Sequence, residues 1–122
     1  MVDTLYELIG GRLTIQAAVE SFYRRVLADE SVSHFFDTVD MDHLRARQSM
    51  FLTMLLGGQI VYTGRDIRTA HARPQEQGLD DSHFDTILKH FRKALEEVGV
   101  QANNVDKVMM RLEETRDAVL GR

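Results

Sequence analysis

The sequence contains no cysteine and no tryptophan, and its single proline is Pro74. The absence of cysteine excludes a disulfide framework, a thiolate-bound zinc or iron–sulfur site and a cysteine nucleophile. Any metal must therefore be held by histidine, by carboxylates or within a cofactor. No repeat or composition shift marks a domain boundary, so the 122 residues are expected to form one domain, residues 1–122.

An excess of positive charge is also missing. Fifteen Lys and Arg stand against 19 Asp and Glu, giving a net charge of −4. Because a protein that binds a phosphate backbone needs a basic face, nucleic acid is not an expected partner. The densest apolar run, residues 50–56, falls far short of the roughly 20 residues that span a bilayer. The first residues carry no basic region typical of a secretion signal, so we expect no membrane partner and a cytoplasmic protein.

Motifs for hydrolysis and nucleotide binding are absent as well. Gly57-Gly58 is not followed by the Lys and Ser/Thr of a phosphate loop, and there is no G-x-S-x-G elbow. No two histidines have the spacing, with an acid, of a helical zinc protease site. The sequence therefore supports neither an unassisted hydrolase nor a zinc site built from protein side chains alone.

Helical periodicity is what the sequence does contain. Over residues 13–28 the apolar side chains of Ile15, Val19, Phe22 and Val26 recur three and four positions apart, as on one face of a helix. No segment alternates with a period of two, which predicts an all-α fold class. Further helical segments are expected from Thr4 to Gly10, from Asp40 or Asp42 to Leu56, near 65–72, from Ser82 with Asp85 to Gly99, and from Asn103 through Val119, and residues 32–36 form a brief apolar piece. Pro74 is expected to stop the helix near 65–72 just after His71.

Two polar residues interrupt apolar helix faces. Tyr23 lies beside Phe22 and Val26, and Gln48 lies between Leu44 and Phe51. Burying a hydroxyl or an amide without a partner costs roughly 1 to 3 kcal/mol, so both side chains should be bonded to something. They bond either to the backbone or to each other, or they share a polar target inside the protein.

One of the five histidines differs in its surroundings. His71 is the histidine on a short helix within an irregular, glycine-bounded segment, whereas His34, His43 and His90 sit among charged neighbours, as surface residues do. His71 is a candidate metal ligand, with a structural role as the alternative. Phe35 and Phe36 carry adjacent rings, which cannot point the same way. One ring is expected in the core and the other over a different surface, unless both are core residues.

Taken in order, these features resemble those of the truncated haemoglobins, the short globins, and specifically their first group. The resemblance spans nearly the whole chain and is carried by Leu5-Tyr6-Glu7 with Gly10-Gly11, Phe22-Tyr23 with Arg25-Val26-Leu27, Phe35-Phe36 with Val39-Asp40-Met41, Gln48 with Phe51-Leu52, Gly57-Gly58, Tyr62-Thr63-Gly64-Arg65, Ala70-His71 and His83-Phe84. It implies a two-over-two α-helical sandwich around haem b.

The resemblance also assigns roles. It implies that His71 is the proximal iron ligand, in the neutral tautomer with its other N–H on a backbone acceptor. It implies that Phe36 packs on the haem face, and that Tyr23 and Gln48 form the distal pair. A phenol or amide donor stabilises bound O₂, whose outer oxygen is partly anionic, by roughly 1.5 to 3 kcal/mol. Bound CO, which is neutral, gains less.

Two positions depart from some relatives. Leu44 stands where many globins carry a distal histidine or glutamine. Arg47 stands where cyanobacterial members carry a second iron-ligating histidine; it is expected either to pair with a haem propionate or to be a solvated surface residue. No histidine follows His90, so the covalent haem bond of those members is not expected. The apolar haem lining is expected from Val19, Phe22, Leu44, Phe51, Leu52, Leu55, Phe84, Phe91 and Met109 or Leu112.

Three classes of function follow. The first is a monomeric protein with non-covalent haem b that binds O₂, NO and CO reversibly at ferrous iron. The second is an NO dioxygenase, converting NO to nitrate; with no room for a flavin or nicotinamide domain it would need an external reductase as partner. Weak peroxidase activity is a lesser expectation of the same kind. The third is a helical interaction domain without a cofactor.

Overall fold

A computed structural model of the chain describes residues 4–57 and 64–122. Gly58, Tyr62 and Thr63, which contribute to the resemblance, lie outside these residues. Every regular element in the two ranges is helical, which confirms the all-α prediction for this part of the chain. The elements are α1 (Leu5–Leu8), α2 (Gly11–Leu27), α3 (Glu30–Ser33), a 3₁₀ turn (His34–Phe36), α4 (Met41–Leu55), α5 (Gly64–Ala70), α6 (Ala72–Glu76), α7 (Asp81–Glu97), α8 (Ala102–Glu113) and α9 (Arg116–Val119). In the described ranges no helix is both long and apolar enough to cross a bilayer.

Four long helices form the core as two packed pairs. Helix α2 packs against α4, helix α7 packs against α8, and α2 and α7 join the pairs. The rings of Phe22 on α2 and Phe91 on α7 stack with centroids 4.0 Å apart, and Val26 and Ala94 are fully buried beside them. This is the two-over-two sandwich that the resemblance implied.

The start of α7 differs from its prediction. The cap is Asp80 rather than Ser82: its carboxylate accepts hydrogen bonds from the backbone N–H groups of Ser82 (3.0 Å) and His83 (3.2 Å). His83 Nδ1 in turn accepts from the Asp80 N–H at 3.1 Å. Asp80 has the extended backbone of a cap residue, whereas Ser82 lies within the first turn, where its own N–H is one of the groups that need a cap. At α4 the cap is Asp40, one of the two alternatives.

Pro74 was predicted to end the helical structure, but the structure places it inside a helix. Helix α5 ends at Ala70, near the expected stop, but α6 begins at Ala72 and contains Pro74 as its third residue. In the first turn of a helix the backbone N–H groups have no partner within the helix, so proline costs no hydrogen bond there. The consequence for the site is that His71 lies at the junction of two short helices.

The C-terminal helix is broken into two. Helix α8 ends at Glu113 and α9 begins at Arg116; between them the buried hydroxyl of Thr115 donates to the Leu112 carbonyl at 2.7 Å. After this break Val119 packs with Ile67 and Phe84 in a small cluster apart from the main core. Helix α9 therefore lies against α5, next to the segment that carries His71.

His90 is not the solvated residue expected from its neighbours. Its side chain is 19% exposed, and Nε2 lies 2.7 Å from Oδ2 of Asp29, the cap of α3. The hydrogen bond from His90, with those from Ser31, lowers the pKa of Asp29 to about 2. The pair ties α7 to the start of α3.

Candidate functional site

A cavity of about 330 Å³ opens between the long helices and the short ones. This is within the usual range for a small-molecule site, and most of its lining is apolar. Eight of the ten site residues predicted from the sequence line it: Tyr23, Phe36, Leu44, Arg47, Gln48, Phe51, His71 and Phe84. Phe22, Phe91 and Leu112, expected as apolar lining, are there as well. The structure thus brings together residues from α2, the 3₁₀ turn, α4, α7, α8 and the α5–α6 junction.

Two of the ten lie elsewhere. Leu52 is 2% exposed in the main core, and Met109 packs on that core without lining the cavity. Successive helix positions are rotated by about 100°, so Leu52 faces away from the side that Phe51 presents to the cavity. On α8 the cavity is reached one turn later, at Leu112, the alternative to Met109. Val19 and Leu55 belong to the core for similar reasons.

The His71 ring is oriented by its own helix. Nδ1 lies 2.8 Å from the carbonyl oxygen of Ile67, one turn earlier on α5. Since a carbonyl only accepts hydrogen bonds, Nδ1 is the protonated nitrogen. Burial lowers the pKa of His71, the nearby Arg47 lowers it further, and the bond to Ile67 raises it in part. The neutral ring then keeps an unprotonated Nε2 with a free lone pair, the form that binds a metal.

Tyr23 places a phenol in the cavity that no described residue bonds. The residue is 2% exposed, and its ring packs edge-on against Phe22 and Phe36, with centroids at 4.9 and 5.8 Å. Among the described residues its hydroxyl has no hydrogen-bond partner. Burial raises the pKa of Tyr23, while Arg45 and Arg47 lower it by less. The phenol is therefore protonated and can donate to a ligand.

Gln48 is the second unpartnered polar group. It lies half-buried on α4, and its amide makes no hydrogen bond within residues 4–57 or 64–122. Neither the bond to Tyr23 nor the bond to backbone that sequence reasoning left open is found among these residues. Two donors at an apolar cavity, neither bonded by the described part of the protein, suit a ligand that accepts hydrogen bonds.

The two phenylalanine rings of the 3₁₀ turn were expected to point to different surfaces, and they do so in part. Phe35 is 5% exposed and belongs to the main core, while Phe36 is half-buried and meets Tyr23. Both rings also reach the cavity lining, so the division between core and cavity is not complete.

Sequence reasoning missed several lining residues. Among them are Val39, Ile67, Arg73, Leu79, Ile87, Leu88, Thr115 and Val119. Ile87 and Leu88 follow Phe84 and precede Phe91 at helical spacing, which was a usable signal. The same pattern is equally typical of a core face, so it does not distinguish core from cavity. Arg73 gave no signal, because charged side chains are expected on the surface.

Side-chain bonds hold the short helices in place. Gln75 on α6 donates through Nε2 to the carbonyls of Arg68 (3.1 Å) and Val119 (2.9 Å), so it joins α6 to α5 and α9. The guanidinium of Arg116 lies 4.6 Å from the centre of the Phe84 ring and pairs with Asp81, Asp85 and Glu113. These contacts position the segment around His71.

Comparison with known proteins gives consistent similarities. The family model described as bacterial-like globin matches residues 4–121. A "Group 1 truncated hemoglobin" from Tetrahymena pyriformis is 42% identical over 120 residues, which cover 98% of this chain and 97% of that protein. The "Group 1 truncated hemoglobin GlbN" of Synechocystis sp. is 42% identical over 108 residues, covering 88% of this chain and 87% of the relative.

Solved structures agree with these sequence similarities. The Fe(III) form of the Tetrahymena pyriformis protein superposes with a TM-score of 0.87 at 42% identity, over 98% of this chain and all of that one (100%). The 2/2 hemoglobin of Synechococcus sp. PCC 7002, in the cyanomet state with covalently attached heme, superposes with a TM-score of 0.91 at 38% identity, with 98% and 100% coverage.

Proposed function

This chain belongs to the bacterial-like globin family, among the group 1 truncated haemoglobins, and we propose that it holds haem b non-covalently and binds O₂, and also NO and CO, reversibly in the cavity. Haem is its cofactor, and when bound it supplies the iron atom to which such gases attach. The apolar lining, the neutral imidazole and the unpartnered donors fit such a group. His90 is the last histidine of the sequence, so neither α8 nor α9 offers one for a covalent attachment.

His71 is proposed as the iron ligand. Its Nδ1–H donates to the Ile67 carbonyl, which leaves Nε2 as the ligating atom and holds the ring in one orientation. Burial keeps the ring neutral by lowering its pKa, so no proton competes for Nε2 near neutral pH. Phe36, Phe84 and the other apolar lining residues then exclude water from the cofactor's faces.

Tyr23 and Gln48 are proposed to hold the diatomic ligand. Each presents a donor that has no partner among the described residues, and donors aimed at a partly negative ligand in a dry cavity lose little to competition with water. A polar ligand such as O₂ is thus retained more strongly than CO. The observation that carries the proposal is that one cavity holds both an oriented, neutral His71 and the buried phenol of Tyr23, which has no partner in residues 4–57 or 64–122.

The visible absorption spectrum tests the proposal. Protein produced with haem available is recorded in its ferric, ferrous, O₂ and CO forms, beside His71→Ala and the control His43→Ala, which removes an exposed histidine of α4. We expect His71→Ala to lose or shift the Soret band and the control to match the wild type. An unchanged Soret band in His71→Ala contradicts the assignment.

The other classes of function have their own measurements. Conversion of NO to nitrate, with electrons from an external reductase, is tested by mixing NO with the protein equilibrated with O₂; a rate no higher than that of free haem counts against it.

A compact protein whose stability does not change on adding haem favours the cofactor-free interaction domain, since a true ligand stabilises the native state. We propose a monomer, which sedimentation equilibrium can check.

A further inference from the structure

The charged side chains that line the cavity in the described part of the chain are all positive. Among the described residues that line it, the charged side chains are Arg47 and Arg73, both exposed on their outer sides, and none is a carboxylate. This is unexpected in a chain with a net charge of −4. An apolar cavity bordered by two guanidinium groups suits a ligand with an apolar body and acidic groups at its edge.

Arg73 is held in place across the cavity edge. Its Nη2 donates to Oγ1 of Thr38 at 2.7 Å, a contact between α6 and the turn that precedes α4. A guanidinium has five N–H donors, so this bond leaves others available for a ligand. This bond, between two exposed side chains, orients the Arg73 guanidinium beside the cavity in the absence of a ligand.

The backbone at Thr38 indicates that this contact is built into the turn. Thr38 has φ of +67°, and in the described parts of the chain it is the one residue other than glycine with a positive φ. A β-branched residue is strained in this region and is found there only when the surroundings impose it. The strained conformation is the one in which the Thr38 hydroxyl meets Arg73.

We propose that Arg73, positioned by Thr38, binds a carboxylate of the porphyrin and so sets a preference for the acidic form of the cofactor. The inference rests on the proposed function, because it takes the cavity to hold a porphyrin. It adds to the expected role of Arg47: protoporphyrin IX has two carboxylates, and the cavity edge has two guanidinium groups. Arg73 binds one and Arg47 the other. Thr38 is a positioning residue that does not touch the ligand.

Metal-free protoporphyrin IX and its dimethyl ester are the probes. Neither contains iron, so their affinities do not depend on ligation by His71. Dissociation constants are measured by fluorescence for the apoprotein, Arg73→Gln and Arg92→Gln; the last removes an arginine that pairs with Asp106 away from the cavity. We expect Arg73→Gln to weaken binding of the free acid by roughly three- to tenfold and of the ester by less than about twofold. The control should match the wild type for both probes.

Variants of Thr38 test whether its hydroxyl positions Arg73 or whether Thr38 only supports the fold. Thr38→Ser keeps the hydroxyl and should bind both probes as the wild type does. Thr38→Val keeps the branched shape but loses the hydroxyl, and should reproduce part of the loss for the free acid alone. Thermal unfolding of each apoprotein shows whether the variant is folded before its affinity is compared.

Several outcomes overturn the proposal. An equal loss for acid and ester in Arg73→Gln makes Arg73 a structural residue, and no loss for either makes it irrelevant to the ligand. Failure of the wild type to prefer the free acid also overturns it. Failure of the iron assignment is seen separately, as an unchanged Soret band in His71→Ala, and leaves the binding of metal-free porphyrin as it is.

Discussion

Tyr23 and Gln48 stand on helices of 17 and 15 residues, whereas His71 lies between helices of seven and five residues. We refer to α2 and α4 as the donor side of the cavity and to α5, α6 and α9 as the histidine side. The donor side is part of the main core, where α2 packs on both α4 and α7. The histidine side has a small cluster of its own and is held largely by individual hydrogen bonds.

This difference separates two properties of the protein. Core packing makes the positions of Tyr23 and Gln48 insensitive to any one contact, and it supplies most of the folding free energy. The histidine side has fewer buried apolar groups, so its geometry depends on a few bonds and on the bound cofactor. Changes on the donor side should therefore alter stability or ligand retention, and changes on the histidine side should alter cofactor retention.

The largest expected effect is a loss of stability when the main core is changed on the donor side. Phe22→Ala removes the ring that stacks on Phe91 and should lower the free energy of unfolding by about 3 to 5 kcal/mol. Ile67→Ala, in the histidine-side cluster, should cost about 2 kcal/mol. Urea unfolding of the apoproteins measures both. Equal losses at the two positions would remove the distinction between the sides.

Tyr23→Phe should change ligand retention without changing stability. Loss of a donor to a partly anionic ligand is worth roughly 1.5 to 3 kcal/mol, so O₂ dissociation should become about 10 to 100 times faster, with a much smaller effect on CO. Because the hydroxyl has no partner among the described residues, the apoprotein should unfold at the same urea concentration as the wild type. Stopped-flow displacement of O₂ by CO gives the rates. Equal acceleration for both gases would show that Tyr23 acts by shape alone.

Gln75→Leu should weaken cofactor retention on the histidine side. The variant loses the two bonds that join α6 to α5 and α9, worth about 1 kcal/mol together in this half-buried setting. Transfer of haem to an excess of an acceptor apoprotein should become about fivefold faster. The matched control is Gln77→Leu, an exposed glutamine three residues from Pro74. If both variants release haem at the wild-type rate, the bonds of Gln75 do not position His71.

The smallest expected effect is a pH dependence remote from the cavity. The pKa of Asp29 is lowered from 3.8 to about 2, chiefly by the hydrogen bond from His90. A carboxyl with a lowered pKa in the folded state adds stability above its unfolded pKa, and this is lost as the pH falls towards 2. Asp29→Asn should thus cost about 1 kcal/mol at pH 5 and progressively less on acidification. Urea unfolding across this pH range measures it, with Asp29→Ala, which also loses the cap of α3, as the comparison. A loss in Asp29→Asn that does not change with pH contradicts the pairing.

How far the fold was predictable differs along the chain. Helices α2, α4 and α7 followed from apolar spacing, since the apolar residues of each pack on the main core. The α5–α6 junction did not, because Pro74 in a first turn and Pro74 after a helix have the same local sequence signal. The break at Thr115 was also missed: its buried hydroxyl bonds to the preceding turn, and α9 is held by contacts with α5, which is distant in sequence.

Some residues of the cavity lining could be predicted from the sequence and others could not. Tyr23, Gln48 and His71 were identifiable because a polar group on an apolar face, or a histidine in an irregular segment, departs from the pattern around it. Leu52 and Met109 were not separable from Phe51 and Leu112, because all four are apolar residues of amphipathic helices. Arg73 was not identifiable at all, since its bond to Thr38 joins residues far apart in the chain.

By itself the sequence determined the helical class, the main core faces, the polar residues that need a partner and the resemblance to the truncated haemoglobins. Tertiary structure alone decided which apolar residues face the cavity, how His71 is oriented and where the cationic edge lies. The physical reason is that burial and helix periodicity are local properties, written in the spacing of residue types. A cavity, by contrast, is the space left between helices, and its lining depends on how far each helix extends and rotates against its neighbours.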